Sequence, residues 1–236
     1  MRAIGILGGM GPRATVKFEQ MLLDRIAGDD QQLPTIVTIN DGSIPDRSLF
    51  LLGDGEDPVP RLQYNLNNLE LLGAKIIAMP CNSASMPKIF NRLRSNVMLL
   101  NLPKLVVAKI EQQEVKKVYL LATDGTIESQ TYQRLCKRAG IECIVPSVAT
   151  RRMVTASIAA IKKGNSEVAR DIARKIRVEL ESLPCDGVIL GCTELPLVRK
   201  QLVPRDVICF DTLALLADAC VELSKGENRA KRSVYA

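Results

Sequence analysis

Eight short apolar runs recur along the chain with amphipathic stretches between them, and this alternation restricts the fold more than any other feature. The runs are residues 3–7, 35–39, 75–79, 97–100, 117–122, 142–145, 187–190 and 207–210. Most are rich in β-branched residues. Strands that short and that continuously apolar are buried on both faces, as in parallel sheets covered by helices. Between the first pairs of runs the period changes. Phe18, Met21, Leu22 and Ile26 share one helical face, as do Leu62, Leu66, Leu69 and Leu72. Pro12 suits the first turn of one helix and Gly73 the end of another. The alternation predicts an α/β fold with mainly parallel sheets.

The pattern also repeats. Ile4-Gly5-Ile6-Leu7-Gly8-Gly9 resembles Val118-Tyr119-Leu120-Leu121-Ala122-Thr123, an apolar strand running into a small-residue turn. Ala74 to Ser83 resembles Cys185 to Glu194, and each segment carries a cysteine just past its strand, Cys81 and Cys192. Two similar halves are expected: residues 1–100 with 205–236, and residues 101–204. The last strand and helix, 207–223, are expected to pack back on the first half.

Composition excludes several functions. No apolar run reaches the roughly 18 residues of a membrane span. The first residues run straight into a strand, so the expectation is a cytoplasmic protein without a secretory signal. Net charge is +6 with pI ≈ 9.0, but the one dense basic cluster is the tail, Lys225, Arg229, Lys231 and Arg232. Aromatic residues are 3% of the chain, too few for base-stacking platforms, so no nucleic-acid partner is expected. Seven cysteines, an odd number without a C-x-x-C pair, argue against a disulfide framework and a zinc site.

The chain has no histidine. Ser-His and Cys-His nucleophile pairs within the chain are thereby excluded. Proton chemistry near neutral pH falls to Cys, a carboxylate or Lys. Cys81 and Cys192 stand at the C-terminal ends of predicted parallel strands, the edge where open α/β sheets bind ligands. Backbone N–H groups at Asn82-Ser83 and Thr193-Glu194 are expected to lower the thiol pKa and hold a carboxylate. If the halves face each other, a small substrate between them has one sulfur on each face of its α-carbon. Racemisation without a cofactor needs that arrangement, because a planar carbanion must be reprotonated from the side opposite the departing proton. Cys136, Cys143, Cys185, Cys209 and Cys220 read as small core residues.

Four motifs together carry a family resemblance: Gly8-Gly9-Met10-Gly11-Pro12-Arg13-Ala14-Thr15, Ile44-Pro45-Asp46-Arg47, Cys81-Asn82-Ser83-Ala84 and Gly191-Cys192-Thr193-Glu194. In this order they resemble the aspartate/glutamate racemase family, closest to its aspartate racemase branch. The resemblance implies two pseudo-symmetric domains, each a mainly parallel four-stranded sheet flanked by helices, with the site in the cleft between them. It implies racemisation of an acidic amino acid by Cys81 and Cys192, no cofactor, no metal and a homodimer. It places Met10, Gly11, Arg47, Asn82, Ser83, Thr126, Lys162, Thr193 and Glu194 at the substrate. Arg47 would take the side-chain carboxylate with two prongs. Lys162 would be a second cationic contact, with Lys163 its neighbour in register. Pro80 and Ser85 depart from the pattern, where family members carry Thr and His.

Alternatives on the same fold are a glutamate or broad-specificity racemase and a cysteine-dependent maleate isomerase. A nicotinamide-dependent oxidoreductase is a more distant reading. It rests on Gly9-x-Gly11-x-x-Ala14 between a strand and a helix, with Asp41 near the end of the second strand.

Overall fold

All eight apolar runs form strands in the computed structural model, which describes residues 1–26 and 28–226. In chain order the elements are β1 (Ile4–Gly8), α1 (Pro12–Leu23), β2 (Ile36–Asn40), α2 (Arg47–Leu52), α3 (Val59–Leu71), β3 (Ile76–Ala78), α4 (Pro87–Phe90), β4 (Met98–Leu99), α5 (Leu102–Gln112), β5 (Lys117–Ala122), α6 (Asp124–Glu128), α7 (Thr131–Arg138), β6 (Glu142–Ile144), α8 (Val148–Lys162), α9 (Ser166–Glu181), β7 (Gly187–Gly191), α10 (Arg199–Leu202), β8 (Ile208–Asp211) and α11 (Thr212–Ser224). The strands form two four-stranded sheets, β2-β1-β3-β4 and β6-β5-β7-β8, and every ladder is parallel. The same strand order occurs twice, as the internal repeat requires. Among the described residues no helix is long and apolar enough to cross a membrane.

Local chemistry sets the boundaries. Pro12 occupies the first turn of α1, where its missing N–H costs nothing. Side chains of Asp46, Asn101, Thr123, Ser147 and Asp211 accept backbone N–H groups at the starts of α2, α5, α6, α8 and α11. Gly73 follows α3 with φ +93°, the left-handed stop a glycine provides. Leu62, Leu66 and Leu69 are buried as their spacing predicts. Leu72 is exposed, because α3 ends at Leu71 and the chain turns before a fourth contact.

The final strand differs from its expected place. β8 pairs with β7 and completes the second sheet. Only α11 returns, packing on α1, α5 and β3. Ile208 and Cys209 of β8 find an open edge on β7, whereas α11 offers Leu213, Leu216, Ala217 and Cys220 to the uncovered first sheet. Arg2 N–H donates to Ser224 O at 2.8 Å, closing the end of α11 against the start of the chain. One apolar cluster consequently joins both sheets, with Ile4, Phe18 and Ile76 in contact through α5 and α11 with Val118, Ile189 and Phe210. Of the basic tail, Arg229, Lys231 and Arg232 lie outside the described residues.

Candidate active site

The order β2-β1-β3-β4 puts the topological switch point between β1 and β3, and its repeat puts one between β5 and β7. The C-terminal ends of those four strands supply one small cavity of about 20 Å³. Met10 follows β1, Cys81, Asn82 and Ser83 follow β3, Thr123 follows β5, and Cys192, Thr193 and Glu194 follow β7. Asp46, Arg47 and Ser48 from the start of α2 and Lys162 from the end of α8 complete the wall. A second cavity of about 260 Å³ shares Asp46, Arg47, Lys162 and Glu194 and adds Gly11, Pro12 and Arg13.

Both cysteines are buried, Cys81 at 5% exposure and Cys192 at 7%. Pro80 sits at the centre of a three-residue turn closed by Cys81 N–H donating to Met79 O at 2.7 Å. Ser85 Oγ donates to Cys81 O at 2.9 Å. The two residues that depart from the family pattern thus hold the backbone of Cys81. Cys192 Sγ donates to Glu194 Oε2 at 3.0 Å. Burial, then the negative charge of Glu194 and that hydrogen bond, push the Cys192 thiol well above its ordinary pKa. The expected lowering by backbone N–H groups is therefore reversed at Cys192, because desolvation and Glu194 outweigh the amide and Lys162.

Arg47 is 8% exposed and spends most of its fork on backbone. Nη1 donates to Ile44 O at 3.1 Å and Pro45 O at 3.0 Å, and Nη2 to Met10 O at 3.1 Å. Among the described residues its Nε–H is buried without a partner. Of five donors, two are left for a ligand: Nε–H and one on Nη2. Glu194 Oε1 is likewise buried without a partner among the described residues. An orphaned donor and an orphaned acceptor therefore line the same cavity wall. Buried polar groups are nearly always paired, so each calls for a missing partner. Asp46 caps α2 through Ser48 N and Leu49 N. Burial opposes its charge, but the Leu49 amide and the charges of Arg47 and Lys162 hold its carboxyl below the usual range.

Met10, Arg47, Cys81, Asn82, Ser83, Lys162, Cys192, Thr193 and Glu194 thus come together, and Gly11 lines the larger cavity. Lys162, not Lys163, is the lysine in both walls. Thr126 is the exception among the expected site residues. It is fully buried behind the wall, with its hydroxyl on Ser83 Oγ at 3.0 Å and on Thr123 Oγ1 at 3.1 Å. Thr123, directly after β5 and half-buried, lines the cavity in its place. The sequence reading missed Thr123, Asp46 and Ser48. Thr123 and Asp46 carried a signal as Ser/Thr/Asp residues immediately before short helices. The amide of Asn82 is held in a network crossing the cleft. Tyr132 O–H donates to Asn82 Oδ1 at 2.5 Å, Asn82 Nδ2 to Thr212 Oγ1 at 3.1 Å, and Thr212 Oγ1 to Leu190 O at 2.8 Å.

The dinucleotide reading fails at its glycines. A side chain at Gly9, whose φ is +96°, would meet Asp41 O at 2.1 Å, and one at Gly11 would meet Glu194 Oε1 at 2.9 Å. These glycines admit neighbouring protein groups rather than a phosphate. Asp41 is tied to Arg61 Nε at 2.6 Å and Asn65 Nδ2 at 2.7 Å, so it is not free for a ribose. Among the described residues no three His, Cys, Asp or Glu side chains gather as metal ligands would.

Two matching parallel sheets, each contributing a thiol to a shared cavity, define a class of paired α/β proteins with a two-thiol cleft. The chain belongs to the Asp/Glu/Hydantoin racemase family, whose sequence model matches residues 7–220. The broad specificity amino-acid racemase RacX of Bacillus subtilis is 27% identical over 225 residues, covering 92% of this chain and 96% of that one. The aspartate racemase of Picrophilus torridus superposes with TM-score 0.86 at 28% identity, covering 100% of this chain and 99% of the other. A glutamate racemase from Francisella tularensis shares the fold, with TM-score 0.68 at 18% identity over 98% of this chain and 85% of that one.

Proposed function

We propose that the protein is a cofactor-independent racemase of an acidic amino acid, with aspartate the first candidate. The observation that carries the reading is the pair of orphaned groups, Arg47 Nε–H and Glu194 Oε1, beside two buried thiols. An α-amino acid brings a carboxylate for the donor and an ammonium for the acceptor. The sulfurs of Cys81 and Cys192 then flank the α-carbon. Lys162, lining both cavities, gives a second cation for a second carboxylate.

In the direction begun by Cys192, its thiol proton passes to Glu194 and leaves a thiolate. The thiolate takes the α-proton, and the electron pair of the broken C–H bond spreads into the α-carboxylate. Cys81 delivers its S–H proton to the opposite face and becomes the thiolate. Product release admits water, which carries the extra proton from Glu194 back to Cys81. The closed cavity keeps water away while charge develops, where the oriented donors act most strongly.

The same proposal takes the expected second half, residues 101–204, extended through β8 to Asp211, as a unit that moves against the rest, and a cytoplasmic homodimer as the working form. A second reading, racemisation of a wider set of amino acids, is favoured by the full-length similarity to RacX. The deciding experiment is α-proton exchange and optical rotation in D₂O with both enantiomers of aspartate, glutamate and alanine, without added cofactor. Deuterium entering with inversion only in aspartate is the expected result. Exchange in all three favours the wider range, and exchange in none overturns the racemase reading.

A further inference from the structure

Beyond the thiol cavity, a chain of hollows runs along the surface. The 260 Å³ cavity shares Arg13 and Ile161 with one of about 330 Å³, and that shares Arg170 and Leu197 with one of about 670 Å³. The last is walled by Lys17, Arg170, Arg174, Arg199 and Lys200. They come from both sides of the molecule: Lys17 from α1, the two α9 arginines one turn apart, and the other pair from α10.

Neutralisation is scarce there. Among the described residues Asp211 is the one carboxylate in the wall, and its Oδ1 already accepts the N–H groups of Leu213 and Ala214. Arg174 is paired with Asp171. Lys17, Arg170, Arg199 and Lys200 make no ion pair among the described residues. Gathering four unpaired cations around one hollow raises the energy of the folded chain unless an anion enters. An amino acid with two carboxylates carries a net charge of only −1 and leaves most of the field uncompensated. Guanidinium forks match phosphate oxygens two at a time, and lysines add point charges. The volume lies within the roughly 300–1,000 Å³ of small-molecule sites. Among the described residues the wall holds no aromatic side chain on which a nucleobase could stack.

We propose that this groove binds a compact, multivalent phosphate anion at a site separate from the thiol cavity. The anion bridges α1 to α9 and α10, and so links the flanks of the two sheets. The proposal is independent of the racemase reading, since it uses none of the residues assigned to that chemistry.

The test is calorimetric titration of the full chain with inorganic tripolyphosphate at a fixed ionic strength of about 0.15 M, where non-specific attraction is screened. One saturable site is expected. Arg170→Gln with Arg199→Gln should weaken it at least about tenfold, and Lys17→Gln with Lys200→Gln, a second pair on exposed positions, should do the same. Cys192→Ser should leave the affinity within about twofold, and citrate should bind at least about tenfold more weakly. Unsaturable binding, unchanged affinity in both double variants, displacement by aspartate, or citrate binding as well as tripolyphosphate would each overturn the proposal.

Discussion

At the residue scale the chemistry turns on how two thiols are kept. Cys192 is held as a thiol by burial and by Glu194, the group placed to accept its proton. Cys81→Ser and Cys192→Ser should each abolish racemisation, by at least about 10³-fold, while Cys136→Ser, at a core position, should not. Each single variant keeps one base, so each should still exchange the α-proton of one enantiomer with retention, and the two variants should choose opposite enantiomers. Normal racemisation in either would sink the two-base mechanism. Glu194→Gln should slow racemisation about 10²-fold. It also removes the negative charge that raises the thiol, so alkylation of Cys192 should titrate at lower pH than in the parent; an unmoved or higher midpoint would contradict the assignment. Arg47→Ala should raise KM for the acidic substrate. The cysteines were legible from the sequence because they repeat. That Arg47 uses three of five donors on Ile44, Pro45 and Met10 was not, because it depends on carbonyls brought together only by the fold.

Elements decide how rigidly those residues are presented. Tyr132 on α7 reaches across to Asn82, whose other end is held by Thr212 of α11, so two helices fix one amide. Removing the phenol oxygen leaves Asn82 Oδ1 without that donor and should lower kcat about tenfold in Tyr132→Phe with KM nearly unchanged. A parallel rise in KM would instead make the tyrosine part of the binding surface. The loop after β2 is fixed by Asp41. Burial raises its pKa, but hydrogen bonds from Asn65, Ser43 and Arg61 outweigh this and hold it well below the usual range. The folded carboxyl titrates below the unfolded one, so its stabilisation is full above about pH 4 and fades as pH falls below that. Asp41→Asn should therefore cost about 2 kcal/mol at pH 7 and progressively less in acid, read from denaturant melts at each pH. Strands were legible because burial on both faces leaves them continuously apolar. The sheet that takes β8 was not, because an edge strand pairs through its backbone and writes no partner into its side chains.

At the scale of the whole molecule, the site is shut. A cavity of about 20 Å³ has room for about one water and not for an amino acid. Contacts across the cleft hold it closed, among them Gly125 N–H on Ser48 Oγ at 3.1 Å and Ser83 Oγ beside Thr123 Oγ1 at 3.0 Å. The apolar cluster shared by both sheets ties the two halves together, and we infer that opening swings about it. Modification of Cys81 and Cys192 by a thiol reagent should thus reach a limiting rate set by opening as reagent concentration rises. A rate that stays proportional to reagent would mean that the thiols are reached without opening.

The return of α11 has a consequence for how the polypeptide comes into being. Domains generally fold from the N-terminus as the ribosome delivers them, at about 5–20 residues per second. The first sheet of this chain cannot follow that schedule, because the helix that covers β3 and pairs its end with Arg2 is encoded by residues 212–224. The half translated first waits, partly bare, until residues 212–224 have been delivered and can cover it.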